Sequence, residues 1–111
     1  MNRMRVVTGV WIGQCFELKP GNRHVIGRGG DCDIRIRHPK VSRHHAEVFD
    51  IGGQWCIRDL CSLNGTAVNR QLISGPRLLR PDDQVQLYRI TLAFEAQAEE
   101  DFVNQFLKRY A

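Results

Sequence analysis

The stretch Ala46-Glu47-Val48-Phe49-Asp50-Ile51-Gly52-Gly53-Gln54-Trp55-Cys56-Ile57-Arg58 decides how the chain is read. Two β-like runs, Ala46-Glu47-Val48-Phe49 and Trp55-Cys56-Ile57-Arg58, flank the turn Asp50-Ile51-Gly52-Gly53. The glycines of that turn accept positive φ without a Cβ clash. Short apolar runs with branched and aromatic residues, bounded by turn residues, are the pattern of strands.

The same beat recurs outward in both directions. Towards the N-terminus, Ile34-Arg35-Ile36 and His24-Val25-Ile26 read as strands, with the turn Lys19-Pro20-Gly21-Asn22 before them. Cys15-Phe16-Glu17-Leu18 is another run. Arg5-Val6-Val7 leads into a further candidate, Val10-Trp11-Ile12, with Gly13-Gln14 as its hairpin turn. Towards the C-terminus lie short candidates at Ala67-Val68 and Gln71-Leu72-Ile73, then Val85-Gln86-Leu87-Tyr88 and Ile90-Thr91-Leu92-Ala93-Phe94. Alternation in Ile34-Arg35-Ile36 and Val85-Gln86-Leu87 gives those strands one buried and one wet face. About ten or eleven short strands at this spacing predict an all-β antiparallel sandwich or barrel. Helical periodicity does not appear before residue 96.

The tail changes character. Glu99, Glu100 and Asp101 precede Phe102, Val103, Phe106, Leu107 and Tyr110, with Lys108 and Arg109 near the end. Spacings of three and four place those five apolar residues on one helix face, and the charges complement the helix dipole. Residues 97–111 are therefore expected to form a short amphipathic helix. It either covers its own sandwich or docks onto another chain, including a second copy in a homodimer.

Composition narrows the class. The chain has 111 residues, one ordinary domain, with 42% hydrophobic and 25% charged residues, which excludes a disordered chain. The N-terminal segment does not read as a signal peptide, and no apolar run approaches the roughly 20 residues of a membrane helix. A soluble, cytoplasmic protein with no membrane association is expected. Cys15, Cys32, Cys56 and Cys61 are accordingly expected as free thiols. The spacing Cys56-x4-Cys61 lacks the tight pairing of a zinc site, so neither a metal nor a cofactor is expected. The net charge is +4, and thirteen of the sixteen cations are arginine, whose planar fork suits phosphate and carboxylate. Aromatics for base stacking are few, which argues against nucleic acid as the anionic partner.

Enzyme motifs fail one by one. Gly27-Arg28-Gly29-Gly30 begins like a dinucleotide fingerprint, but Cys32 stands at the third glycine position and no helix follows. Ser42, His45 and Asp59 are the residue types of a hydrolase triad, yet Ser42 lacks the glycine-flanked elbow. What remains is a set of polar residues on loops: Gly27-Arg28, then Ser42-Arg43-His44-His45, then Asp59-Leu60-Cys61-Ser62-Leu63-Asn64-Gly65-Thr66. Loops of a sandwich cluster at its ends. Gathered at one end, these three would offer guanidinium and hydroxyl donors for a phosphate and a carboxamide for a peptide backbone. The set reads as a binding site without catalysis.

Gly27-Arg28, Ser42-x-x-His45 and Asn64-Gly65-Thr66, in this order and spacing, resemble the signature of the forkhead-associated (FHA) domain. Asp31-Cys32-Asp33-Ile34, Asp59-Leu60 and Val68-Asn69 extend the likeness, which covers roughly residues 4 to 96 and assigns 1–96 to the domain. The resemblance implies an eleven-stranded β-sandwich that binds phosphothreonine peptides in signalling, its partner a substrate of a Ser/Thr kinase or the kinase itself. The rival expectation is a degenerate FHA scaffold that binds partners independently of phosphorylation.

Carried over by position, the resemblance implies that Arg28 contacts the phosphate and that the Ser42 hydroxyl donates to it. Arg43 adds a neighbouring contact, Asn64 holds the peptide main chain, and Lys40 reads a residue C-terminal to the phosphothreonine. Gly27 and Gly65 support the loops, and His45 braces them without touching ligand. One position departs from the pattern. Leu63 stands where the family commonly has Ser or Thr, so one polar contact is missing unless Ser62 or Thr66 replaces it.

Overall fold

The computed structural model describes residues 2–96, which form two packed β-sheets. Eleven strands follow in order: β1 (Asn2–Val6), β2 (Cys15–Leu18), β3 (His24–Gly27), β4 (Ile34–Arg35), β5 (Ala46–Ile51), β6 (Gln54–Asp59), β7 (Thr66–Val68), β8 (Gln71–Leu72), β9 (Arg77–Leu78), β10 (Gln84–Leu87) and β11 (Ile90–Ala96). One sheet has the order β2-β1-β11-β10-β7-β8 and the other β4-β3-β5-β6-β9. The expected β-sandwich is thus formed. The helix expected over 97–111 lies outside the described residues.

Alternation builds the core. Met4 and Val6 of β1, Val85 and Leu87 of β10, and Leu92 and Phe94 of β11 face Ile26, Val48 and Ile57 of the opposite sheet, all at most 2% exposed. Each such side chain contributes roughly 1.5–3 kcal/mol through its removal from water. Residues 46–58 form the β5–β6 hairpin, with Glu47 opposite Arg58 and Val48 opposite Ile57. Strand β5 runs on through Ile51, so the turn proper is Gly52 and Gly53, at φ +57° and +87°. Glu47 is buried on the outer face of this sheet, with its carboxylate held between the Arg23 and Arg58 guanidiniums.

Three local expectations need correction. Val10-Trp11-Ile12 is not a strand but part of the loop between β1 and β2. Gly9 and Gly13, at φ +88° and +92°, curl this loop, while Val6 and Gln14 close it by a backbone hydrogen bond of 2.9 Å. Val10 and Ile12 are left 86% and 65% exposed, apolar but with no sheet to join. Strand β9 was not foreseen, because Arg77 and Leu78 are too short a run to alternate; they pair with Ile57 and Cys56. Finally, the pairing is antiparallel except between β3 and β4. There the chain doubles back over residues 28–33 and lays Ile34 beside Ile26, while the Asp33 carboxylate accepts the Val25 amide at 2.9 Å.

Candidate functional site

Three connections meet at one end of the sandwich: the β3–β4 loop, the β4–β5 loop and the β6–β7 loop. Backbone bonds join the first two. Arg28 N–H donates to the Ser42 carbonyl and Gly29 N–H to the Arg43 carbonyl, both at 3.0 Å. At Gly27 so close an approach requires glycine, because a Cβ there would stand 2.2 Å from the Arg43 oxygen; one on Gly29 would press on the same oxygen at 3.1 Å. Gly29 has no counterpart among the support positions the resemblance implies, since its glycine-rich context matches only an incomplete nucleotide motif.

His45 ties the second loop to the third. It is fully buried; its Nδ1 accepts the Ser42 amide at 3.1 Å and its Nε2–H donates to the Gly65 carbonyl at 2.8 Å. An amide only donates and a carbonyl only accepts, so the proton sits on Nε2. The backbone of His45 bridges as well, donating to Ile26 and accepting from Leu60. Gly65 takes φ +80°, the left-handed turn that glycine makes cheaply.

Asp59 is the hub of the third loop, a role the sequence reading did not assign. Its carboxylate accepts the Ser62 amide at 3.0 Å, the Ser62 hydroxyl, and the Thr66 hydroxyl at 2.7 Å. Burial pushes its acidity the other way, but these hydrogen bonds hold the carboxyl below the usual range. Ser62 Oγ also accepts the Gly65 amide at 2.9 Å. The Ser62 and Thr66 hydroxyls are therefore both committed inside the loop, and neither replaces the polar side chain missing at Leu63. The spacing Asp59-x-x-Ser62 was the available sign, since Asp side chains cap turns in this way.

The binding candidates stand on this frame. Arg28 is exposed, and among the described residues its side chain uses only Nε, in a 3.1 Å bond to the Val41 carbonyl. Ser42 Oγ accepts the Leu63 amide at 3.0 Å, which leaves its own proton to donate. Asn64 donates from Nδ2 to the Lys40 carbonyl at 2.8 Å, and its Oδ1 accepts no hydrogen bond from the described residues. The Arg43 and Lys40 side chains are exposed on the loop that carries Ser42. The structure thus brings Arg28, Lys40, Ser42, Arg43 and Asn64 to one end, with Gly27, His45 and Gly65 beneath them.

Ser42, His45 and Asp59 are not arranged as a triad. His45 takes the Ser42 amide rather than its hydroxyl, and Asp59 binds Ser62 and Thr66 rather than His45. Among the described residues, one group of three metal-ligating side chains lies within 4.8 Å, namely Asp31, Cys32 and His44. All three already have partners in the protein. His44 Nε2 and Asp31 Oδ2 pair at 2.8 Å, which lowers the Asp31 pKa, and Cys32 Sγ donates to the Arg43 carbonyl. Burial raises the Cys32 thiol pKa.

A β-sandwich whose end loops gather two guanidiniums, a hydroxyl proton and a carboxamide has the donor set of a site for an anionic ligand. The family model described as FHA domain matches residues 24–88, and the chain belongs to this family. It is 41% identical over 68 residues to the glycogen accumulation regulator GarA of Mycolicibacterium smegmatis, covering 61% of this chain and 42% of GarA. In structure it resembles the FhaA FHA domain complexed with the intracellular domain of Rv3910. That match has TM-score 0.77 and 28% identity, over 86% of this chain and all of that one. It also resembles Mycobacterium tuberculosis EmbR in complex with a low affinity phosphopeptide, with TM-score 0.76 and 29% identity, over 85% of this chain and 24% of EmbR. The chain spans less than half the length of GarA and about a fifth of EmbR.

Proposed function

We propose that the domain binds phosphothreonine segments of a partner protein and acts as a non-catalytic signalling module. The observation that carries this is the Ser42 hydroxyl. It is held from behind by the Leu63 amide, beside the loop on which Arg28 keeps its terminal amino groups for a ligand. A phosphate needs such charge-assisted and neutral donors converging on its oxygens. Asn64, anchored on Lys40, is placed to hold the main chain next to the phosphoresidue. The solved relatives include phosphothreonine-dependent FHA domain interactions and the phosphopeptide complex of EmbR, which supports the same chemistry here. The partner is a protein modified by a Ser/Thr kinase, or that kinase, met in the cytoplasm where such kinases act.

The direct test is a phosphothreonine peptide library assayed beside its unphosphorylated copies. Binding to phosphorylated members alone is the expected result. Equal binding to both sets would leave a phosphate-independent scaffold as the correct reading.

A further inference from the structure

At the far end of the sandwich from these loops lies an apolar groove of about 300 Å³. Its walls come from both sheets: Trp55 of β6, Leu78 of β9 with Leu79 and Arg80 beyond it, and Phe94 and Ala96 of β11. Strand β5 leaves the binding loops at Ala46 and reaches the Gly52-Gly53 turn six residues later. Gly53 also lines the groove, so the two sites lie roughly 17–20 Å apart along the strand. The floor is core: Trp55, Leu79 and Phe94 are 2–5% exposed, whereas Leu78 on the rim is 41% exposed. Asn2, paired with Ala96 in the sheet, adds a buried Oδ1 with no hydrogen-bond partner among the described residues.

We propose that the 97–111 tail folds back in cis, with 97–101 as the connector and 102–110 as an amphipathic helix that lays its Phe102 and Phe106 into this groove. The chain passes directly from a wall of the groove into this segment, because Ala96 is both the last residue of β11 and part of the lining. Five residues, 97–101, separate Ala96 from Phe102 and span at most about 17 Å, enough to turn back over the sandwich end. Residues 102–110 as a helix are about 13.5 Å long, with Phe102, Val103, Phe106, Leu107 and Tyr110 on one face. A dry cavity of about 150 Å³ holds one benzene, so 300 Å³ has room for two aromatic rings. Charge matches too: Glu99, Glu100 and Asp101 enter beside a groove that carries Arg80. Tethering gives the tail an effective concentration in the millimolar range, so a modest contact suffices to hold it.

This inference is independent of the phosphothreonine reading, and its test uses the full chain. ¹H–¹⁵N spectra are recorded for the wild-type protein, for Phe106→Glu in the tail and for Leu78→Arg on the exposed rim. Either substitution should release the tail. The Trp55 indole and the Leu78, Arg80 and Ala96 amides should shift in Phe106→Glu, the amides of 102–110 should shift in Leu78→Arg, and the Arg28, Ser42 and Asn64 amides should stay in place. Groove resonances that do not respond to Phe106→Glu, or that respond only together with the far-end loops, would overturn the docking. Sedimentation settles the source of the segment. A monomer in wild type and variants supports the cis arrangement, and a wild-type dimer that dissociates in Phe106→Glu overturns it in favour of a second copy's tail.

Discussion

The Leu63 amide donates to Ser42 Oγ at 3.0 Å, so the main chain of one loop orients the hydroxyl of another. The Leu63 side chain itself is 89% exposed and takes no part in that brace. Replacing it therefore changes what faces the ligand without disturbing the frame. Leu63→Thr restores the hydroxyl that the family commonly carries there and should raise phosphopeptide affinity about two- to tenfold, the worth of one hydrogen bond of roughly 0.5–1.5 kcal/mol. The melting temperature should stay within a degree or two. Calorimetric titration of one phosphothreonine peptide against both proteins checks this, and an unchanged affinity would show that the extra donor finds no acceptor.

Arg28 uses Nε for the Val41 carbonyl and keeps its terminal nitrogens for the ligand. Only a guanidinium divides its donors in this way; an ammonium is a compact charge at the end of a flexible stem. Arg28→Ala should lower phosphopeptide affinity at least about tenfold, through loss of charge-assisted bonds of roughly 1.5–3 kcal/mol each. Arg28→Lys should recover only part of that loss, although it keeps the charge. Because the side chain is exposed, neither substitution should lower the melting temperature by more than a few degrees. Full recovery with lysine would mean that charge alone, not the fork held by Val41, does the work.

The sequence made the sandwich legible where strands alternate and turns carry glycine, as in the 46–58 hairpin and in Val85-Gln86-Leu87. It misled at Val10-Trp11-Ile12, because β propensity is only a fitness for a half-buried pleated surface and the loop offers none. It was silent on β9, since two residues cannot show a period. The site divided in the same way. Arg28, Ser42, His45, Asn64 and Gly65 formed a spaced motif, whereas Gly29 and Asp59 act through backbone approach and turn capping, which only the folded loops reveal. Leu63 showed the missing side chain but not the retained amide, because every non-proline residue has that amide and sequence cannot say where it points.

Asp59 should make the loop frame sensitive to acid. Its carboxyl lies below its ordinary range because the hydrogen bonds from Ser62 and Thr66 outweigh the opposing effect of burial. A depressed folded-state pKa contributes stability that is fully present above the unfolded value of about 3.9 and is lost as pH falls through the lower folded value. Asp59→Asn should therefore melt below the wild type by a constant margin between about pH 7 and pH 5, and the margin should narrow below about pH 4. Thermal melts of the two proteins across pH 3 to 7 read this directly. A gap that widens towards acid would contradict the assignment of Asp59 as the ionised hub.

Phosphopeptide binding should follow a different pH window. The second pKa of a phosphothreonine is about 6, so the dianion that dominates at pH 7 becomes a monoanion as pH falls. If Arg28 and Ser42 read the dianion, affinity should weaken between pH 7.5 and 5.5, where the Asp59 carboxylate is still ionised and the frame intact. A glutamate in place of the phosphothreonine should bind poorly, having less charge and fewer acceptor oxygens. Titrations at the two pH values, with a melt at each as control, separate the ligand's titration from the protein's. Equal affinities with the fold intact would rule out dianion reading.

His45 is where site and stability become one. Its ring is fully buried, and both nitrogens are engaged, one accepting from the Ser42 amide and the other donating to the Gly65 carbonyl. His45→Ala removes both partners at once. It leaves a buried donor and a buried acceptor unpaired and opens a void, together costing on the order of 2–4 kcal/mol. For a domain of this size the melting temperature should fall by roughly 10 °C or more. Binding should fail as well, because the Ser42 amide that His45 holds sits on the residue whose hydroxyl faces the ligand. The contrast with Arg28→Ala is the decisive comparison: one substitution weakens binding at least about tenfold and nearly preserves the melt, while the other lowers both. Melting and calorimetric titration of the two variants side by side check it. A His45→Ala protein as stable as the wild type would mean that the imidazole bridges the loops without holding them.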